Sequence, residues 1–368
     1  MSKRKVLFFH RTLKQSGAAR QLINIHNGLD RSRFDPFFVI EHGEKRFFYD
    51  ALQGARVHVL GNHGDSWRHH LRALLAVLDH ERPDCIQAFN PRANEYFYAA
   101  SFLRELPRLY CAVRNTEQRF RYHVQEALLQ SRHRGLIVNS IAIQNEFLRS
   151  GVRKRKIHLI YNGVDTTAFA PRDAPTRNEL RRKHGFADDE FVVLSVGRID
   201  PQKDIGTTIS AVAALIERGV RARFVNLGLT HKKKYRRELL ELASKLGVED
   251  RCDFIDPAEN VSNYYQLADV MVLASQYEGL PNVLLENMAC GKISIVSSAA
   301  DNDAVVNDGV TGFRFSTGSA EQLAQQLTKV QSLAPTQRNL MADAARKLIC
   351  ERFALERMVA AFEALYDA

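Results

Sequence analysis

The chain has 368 residues, of which 45% are hydrophobic and 26% charged, and a formal net charge of +10. At about 150 residues per domain this length gives two domains, and the composition is globular, which excludes a fibrous or disordered chain. No apolar run reaches the roughly 7–15 residues of a signal peptide or the about 18 of a membrane span, and Cys85, Cys111, Cys252, Cys290 and Cys350 are odd in number and scattered, which fits a reducing cytosol rather than a disulfide framework or zinc site.

The charge is uneven. Residues 1–170 hold 27 Lys and Arg against 15 Asp and Glu, so the first half carries all of the excess. Such a half suits an anionic lipid headgroup, a phosphorylated acceptor or nucleic acid, or is simply a solvated basic face.

KVLFFH (residues 5–10) reads as a buried strand, and SGAARQLINIHNGL (16–29) as a glycine loop followed by a helix. FDPFFVIE and ARVHVLG are strands. HHLRALLAVLDHERPD is an amphipathic helix with Leu71, Leu74, Leu75 and Leu78 at helical spacing, either core-facing or lying on a membrane. CIQAFN, LYCAVRNT and GLIVNS are strands, with the helix NEYFYAASFLREL between the first two. Residues 160–178, with Asn-Gly and two prolines, read as a linker. A second series then starts with the strand FVVLSVG (191–197), continues through ARFVNLG, CDFID, DVMVLAS and ISIVSS with helices between, and closes on a helix around ALERMVAAFEALYDA. LTHKKKYRREL, with Lys232 to Lys234, reads as a solvated loop. Strand–helix alternation of this kind predicts an α/β protein of two Rossmann-like domains with parallel sheets. We expect boundaries at 1–165, 166–350 and 351–368, the last a helix returning to the first domain, and a ligand cleft between the carboxyl ends of the two sheets.

Four stretches carry chemistry. In EGLPNVLLENMACG (278–291), Glu278 lies in a strand-to-helix loop, Pro281 suits the first helical turn, and the N–H groups around Gly279 to Asn282 suit a phosphate. Glu286 follows about a turn later. Carboxylates beside an anion site point to a sugar or ribose polyol, whereas an isolated pair would be a dipole-favouring glutamate and a surface one. In VGRIDPQK (196–203), Arg198 and Lys203 follow a strand and can clamp a diphosphate, or be solvated loop cations. In the first half, Asn90 and Arg92 follow one strand and Arg114 and Asn115 another. Each pair is a candidate for the acceptor side, Asn90 and Arg92 equally for capping the next helix.

VGRIDPQK, ASQYEGLPNVLLENMACG and VVNDGVTGFRF, in this order and spacing, resemble the retaining GT-B glycosyltransferases of family 4. SGAAR, IVNS, IHLIYNGVDTTAFAP and ERFALERMVAAFEALY are similar to other parts of the same family. The resemblance implies a GT-B fold and a metal-independent transferase that moves a sugar from a nucleoside-diphosphate donor, UDP first and GDP second, with retention of configuration. Arg198 and Lys203 would bind the diphosphate and stabilise its departure. Glu286 would hold the ribose and Glu278 the donor sugar. Gly197, Gly279, Leu280, Pro281 and Asn282 would line the same site, and Gly17 would let a loop approach the diphosphate. Relatives carry a histidine near Arg114–Asn115. Ala19 and Ala304 stand where the family has glutamates, and ACGKISIV has Lys292–Ile293 where Gly-x-Pro-Val is common.

The acceptor implied is a glycan or lipid-linked hydroxyl in bacterial surface polysaccharide or glycolipid synthesis, reached in the cytoplasm or at the cytoplasmic face of the inner membrane, with no cofactor, metal or nucleic acid. The alternatives are a sugar-nucleotide epimerase of the same fold, which needs further acid/base carboxylates, and a non-catalytic basic binding protein, which needs a recognition platform.

Overall fold

The structure is a computed structural model that describes residues 3–13, 16–43, 51–52, 54–116, 120–258, 260–299 and 302–368. It divides into two compact units, Met1–Gly163 with Leu355–Ala368, and Val164–Ala354. The division after Gly163 and again before Leu355 departs slightly from the boundaries read at 165 and 350. Val164 and Ala354 bridge to each other, so both leave the first unit together.

The first unit runs β1 (Arg4–His10), α1 (Gly17–Gly28), β2 (Phe34–His42), β3 (Val57–Gly61), α2 (Trp67–Glu81), β4 (Cys85–Ala88), α3 (Pro91–Leu103), β5 (Arg108–Val113), α4 (Phe120–Leu129), β6 (Gly135–Val138), α5 (Ile141–Arg149) and β7 (Ile157–Leu159). Its strands pair in parallel in the order β3-β2-β1-β4-β5-β6-β7. The buried run Val6–Phe9 of β1 is apolar on both sides because helices cover both faces of a parallel sheet. Leu7 and Phe9 point to one core with Phe37, Leu74, Leu78 and Phe97, and Val6 and Phe8 to the other with Leu22 and Ile25. Leu74 and Leu78 make α2 a core-facing helix, which decides between its two readings.

The second unit runs α6 (Ala174–Lys183), β8 (Phe191–Val196), α7 (Ile205–Glu217), β9 (Ala222–Leu227), α8 (Lys233–Lys245), β10 (Cys252–Ile255), α9 (Val261–Leu267), β11 (Val270–Leu273), α10 (Asn282–Ala289), β12 (Ser294–Ser297), α11 (Asn302–Val305), β13 (Phe313–Phe315), α12 (Ala320–Ser332) and α13 (Pro335–Arg352). Its sheet is again parallel, in the order β10-β9-β8-β11-β12-β13. Lys233 and Lys234 belong to the first turn of α8 with Lys232 at its N-cap, so this stretch is a helix start rather than a loop. Arg181 is fully buried and ties α6 to the sheet, with Nη2 donating to Asp269 at 2.5 Å and Nε to the Leu267 carbonyl at 3.0 Å.

The last helix, α14 (Leu355–Asp367), packs in the first unit. Met358, Val359, Phe362 and Tyr366 join the core of Val6 and Phe8, and Tyr366 Oη donates to Gln87 Oε1 at 3.2 Å. A Cβ on Gly28 would come within 2.6 Å of Val359, so glycine there lets α1 and α14 approach.

Candidate active site

In the second unit, the strand order reverses between β8 and β11, the position at which open α/β sheets bind ligands. The loops after these two strands carry VGRIDPQK and QYEGLPN. The sequence-predicted residues Gly197, Arg198, Lys203 and Glu278 therefore come together from positions 75 residues apart at the closest pair.

Lys203 donates from Nζ to Glu278 Oε1, and Ser275 Oγ donates to the same oxygen at 2.8 Å. Gly197 is what lets the lysine stem cross the β8 end, since a Cβ there would lie 3.1 Å from Lys203 Cε. The turn that aims Lys203 is built by its neighbours. Asp200 caps it through Gln202 N at 3.1 Å, and Asp204 takes a left-handed φ of 45°. Gln202 then locks the two loops together, its Nε2 donating to the Tyr277 carbonyl at 2.9 Å while its own carbonyl accepts from Gln276 N at 2.8 Å. Burial pushes Asp200 up, but bonds from His231 and Gln202 N and the charge of Arg198 hold it below the usual range. Arg198 itself is exposed and makes no hydrogen bond among the described residues. Gly228 runs so close that a Cβ on it would stand 2.1 Å from the Gly197 carbonyl oxygen.

Gly279 and Leu280 lead into α10. Pro281 occupies the N-cap rather than the first turn, and brings no side chain that could cap the helix. Asn282 is the first helical residue. The first-turn N–H groups and the dipole of such an end suit an anion. Glu286 lies one turn on, buried, and Tyr265 Oη donates to its Oε2 at 2.8 Å. Ser275 and Tyr265 were missed in the sequence. Ser275 stands inside ASQYEGL and was within reach of that motif, whereas Tyr265 comes from α9, where nothing marks it.

The first-unit candidates are placed differently. Ser16 caps α1 by accepting from Ala19 N at 3.1 Å, so Gly17 is the first residue of a helix and SGAAR is a helix start, not a loop. Asn90 caps α3, its Oδ1 accepting from Ala93 N at 2.9 Å. Arg92 is held by Glu41, with Nη2 donating at 2.9 Å and Nε at 3.3 Å. Arg114, beyond β5 and beside Asn115, donates from Nη2 to Asn162 Oδ1 and lies 4.4 Å over the Phe89 ring. Burial pushes its guanidinium down to about 9, with no neighbouring charge to offset it. Asn162, from the YNGVD stretch, also accepts from Asn139 Nδ2 at 3.3 Å. Lys292 is half-buried and donates to the Gln266 carbonyl at 2.7 Å, with the loss of solvation pushing it down to about 8.

Comparison with known proteins bears on the family and the fold. The sequence model of glycosyl transferases group 1 matches residues 176–348, and that of Glycosyltransferase Family 4 matches residues 15–168. A D-inositol 3-phosphate glycosyltransferase of Actinosynnema mirum is 34% identical over 195 residues, covering 51% of this chain and 46% of that protein. An N-acetyl-alpha-D-glucosaminyl L-malate synthase of Bacillus anthracis is 26% identical over 212 residues, covering 58% and 54%. The chain thus spans about half the length of the curated relatives it matches. Among solved structures, Anabaena Alr3699/HepE in complex with UDP and glucose superposes with a TM-score of 0.88 at 21% identity, covering 99% of this chain and 100% of that one. WaaG, a glycosyltransferase involved in lipopolysaccharide biosynthesis, gives a TM-score of 0.75 at 17% identity, with 98% of each chain covered. One family model falls on each unit and the fold is that of these structures: the chain belongs to the GT4-type glycosyltransferases of the GT-B fold.

Proposed function

We propose that this protein transfers a sugar from a nucleoside-diphosphate donor, with retention, to a hydroxyl of a glycan or lipid-linked acceptor in the synthesis of a bacterial surface polysaccharide or glycolipid. The observation that carries the reading is the Lys203–Glu278 pair at the strand-order reversal, next to the start of α10, where Pro281 brings no capping side chain. When a donor enters, Lys203 and Arg198 take its diphosphate, and Glu278 is released to accept from a hydroxyl of the donor sugar. Glu286, steadied by Tyr265, accepts from the ribose. As the sugar–phosphate bond breaks, negative charge grows on the leaving diphosphate, and the two cations and the helix start stabilise it. The acceptor hydroxyl attacks from the same face and gives its proton to the leaving phosphate oxygen. The protein's share is positioning and electrostatics.

UDP is the favoured nucleotide, supported by the complexes of Alr3699/HepE with UDP and with UDP-glucose. For the acceptor, the names of two relatives specify D-inositol 3-phosphate and L-malate, both anionic. No helix among the described residues is long and apolar enough to cross a membrane. We assign membrane contact instead to α4, where Phe120, Val124 and Leu128 recur at helical spacing and are exposed, with Phe102 and Leu103 nearby in sequence on α3 and Arg121 and Arg132 among them.

The test is a calorimetric panel of UDP, GDP, ADP, CMP and dTDP. Micromolar binding of one diphosphate supports the reading and names the base. No binding by folded protein removes it.

A further inference from the structure

The carboxyl ends of β1, β2 and β3 in the first unit gather charged and aromatic side chains that the donor site does not use. At the centre is Glu41, only 1% exposed. Arg92 donates to it through Nη2 at 2.9 Å and Nε at 3.3 Å, Tyr96 Oη donates at 2.9 Å, and Arg11 Nε lies 3.4 Å away. The two arginine side chains remain 46% and 50% exposed. The Arg11 carbonyl accepts from Glu41 N and His42 N at 3.1 and 3.4 Å, which fastens the loop after β1 to the end of β2.

Burying a carboxylate costs several kcal/mol, and an apolar side chain of similar volume often does as well for stability. What Glu41 adds is orientation. One buried negative charge sets two guanidiniums at the surface, and a guanidinium fork matches phosphate or carboxylate geometry. A net positive charge remains after pairing. His42 and His70 pack behind it, with ring centroids 5.9 Å apart, and His42 Nδ1 and His70 Nε2 are buried without a hydrogen-bond partner among the described residues. Trp67, the one tryptophan of the chain, is 40% exposed and stacked at 5.6 Å, with rings 20° from parallel, on the same Tyr96 that bonds Glu41. An exposed aromatic face held rigid by stacking fits the apolar C–H face of a sugar ring. The place is where open α/β sheets receive ligands.

We propose that this cluster is a subsite for an anionic saccharide. The sugar ring lies on Trp67, Arg11 and Arg92 grip its phosphate or carboxylate, and Glu41 is the positioning residue. The proposal rests on the glycosyltransferase reading only in taking that saccharide as the acceptor.

The test titrates glucose, glucose 6-phosphate, glucuronate and orthophosphate into the protein, both without nucleotide and with the diphosphate selected by the calorimetric panel. We expect glucose 6-phosphate or glucuronate to bind at least ~10-fold tighter than glucose, and whichever wins names the anion. R11Q and R92Q should each erase that preference while nucleotide affinity holds. W67A should weaken charged and neutral sugars alike and leave orthophosphate unaffected. Because Arg92 also secures Glu41, R92Q can lose stability. R11Q leaves the Arg92 and Tyr96 bonds to Glu41 intact and decides the matter in that case. Equal affinity for glucose and the charged sugars, or a preference that survives R11Q, overturns the proposal. Orthophosphate binding as tightly as glucose 6-phosphate overturns its saccharide part. If no nucleotide binds in the panel but the sugar preference appears, the donor reading has failed and this one stands.

Discussion

Replacing Lys203 by alanine removes the cation that Glu278 faces. The two side chains are 15% and 11% exposed, so the pair is largely but not wholly withdrawn from water. Breaking a buried pair from one side costs about 3–5 kcal/mol, chiefly because a charge is left without its partner. The Ser275 bond to the same oxygen and the residual exposure put this pair at the lower end, about 3 kcal/mol. For a domain of this size each kcal/mol is worth about 2–4 °C, so the melting temperature should fall by about 6–12 °C. Glu278→Gln in the same chain should recover roughly half of that, because a neutral amide needs no cation. Scanning calorimetry of the wild type, the two single variants and the double variant gives all four corners of the cycle. If Lys203→Ala melts within about 2 °C of wild type, or the double variant is simply the sum of the singles, the pair does not hold these loops together and the arrangement derived for the donor site is wrong.

Tyr265→Phe deletes the 2.8 Å bond to Glu286 and, at about 1.5–3 kcal/mol for a bond to a charged group, should lower stability and raise the nucleotide Kd about 3–10-fold. Calorimetry reads both, and no change in either discards the positioning role. Gly228→Ala would drive a methyl into the Gly197 carbonyl, 2.1 Å away, and should cost at least about 3 kcal/mol by urea unfolding together with nucleotide binding. A stable, binding-competent variant contradicts the close approach. Glu126, fully buried, is pushed up from 4.5 to about 7 by burial, against bonds from Tyr98 and Asn94. The folded state holds this proton more tightly than the unfolded chain does. Its contribution is therefore full below pH 4.5 and is lost as the pH rises through about 7, roughly 3 kcal/mol in all. Glu126→Gln should gain that amount relative to wild type between pH 4.5 and 8. The buried His133, 3.6 Å from Glu126 and pushed down to about 4, is common to both proteins. Parallel stability curves would refute the assignment.

The sequence announced most of this architecture because parallel strands covered on both faces must be apolar throughout, and runs such as KVLFFH and FVVLSVG leave few other options. The donor loops were also legible, since glycine, proline and charged residues directly after a strand mark the ligand end of the sheet. What stayed hidden depended on partners far along the chain. β7 and β13 are three residues each, too short to show alternation, and α6 begins inside the stretch taken as linker. Glu41 reads as an ordinary strand-end glutamate until Arg92 and Tyr96 from α3 and Arg11 from just after β1 close on it. Arg92 was placed correctly after its strand, yet nothing local says that its guanidinium is held by a carboxylate 51 residues away.

The seating of α14 sets an order of assembly. The first unit needs residues Leu355–Ala368 to close its core over Phe8, Phe34 and Phe38, yet these emerge from the ribosome only after Val164–Ala354. At a synthesis rate of about 5–20 residues per second, the first half waits on the order of 10–40 s with an apolar face uncovered, while the second half has all of its own sequence. The unit that begins first is therefore finished last. During that interval the chain is a client for whatever cellular factor shields nascent apolar surface, and a release of synthesis shortly before Leu355 would leave a complete second unit attached to a first one that cannot close.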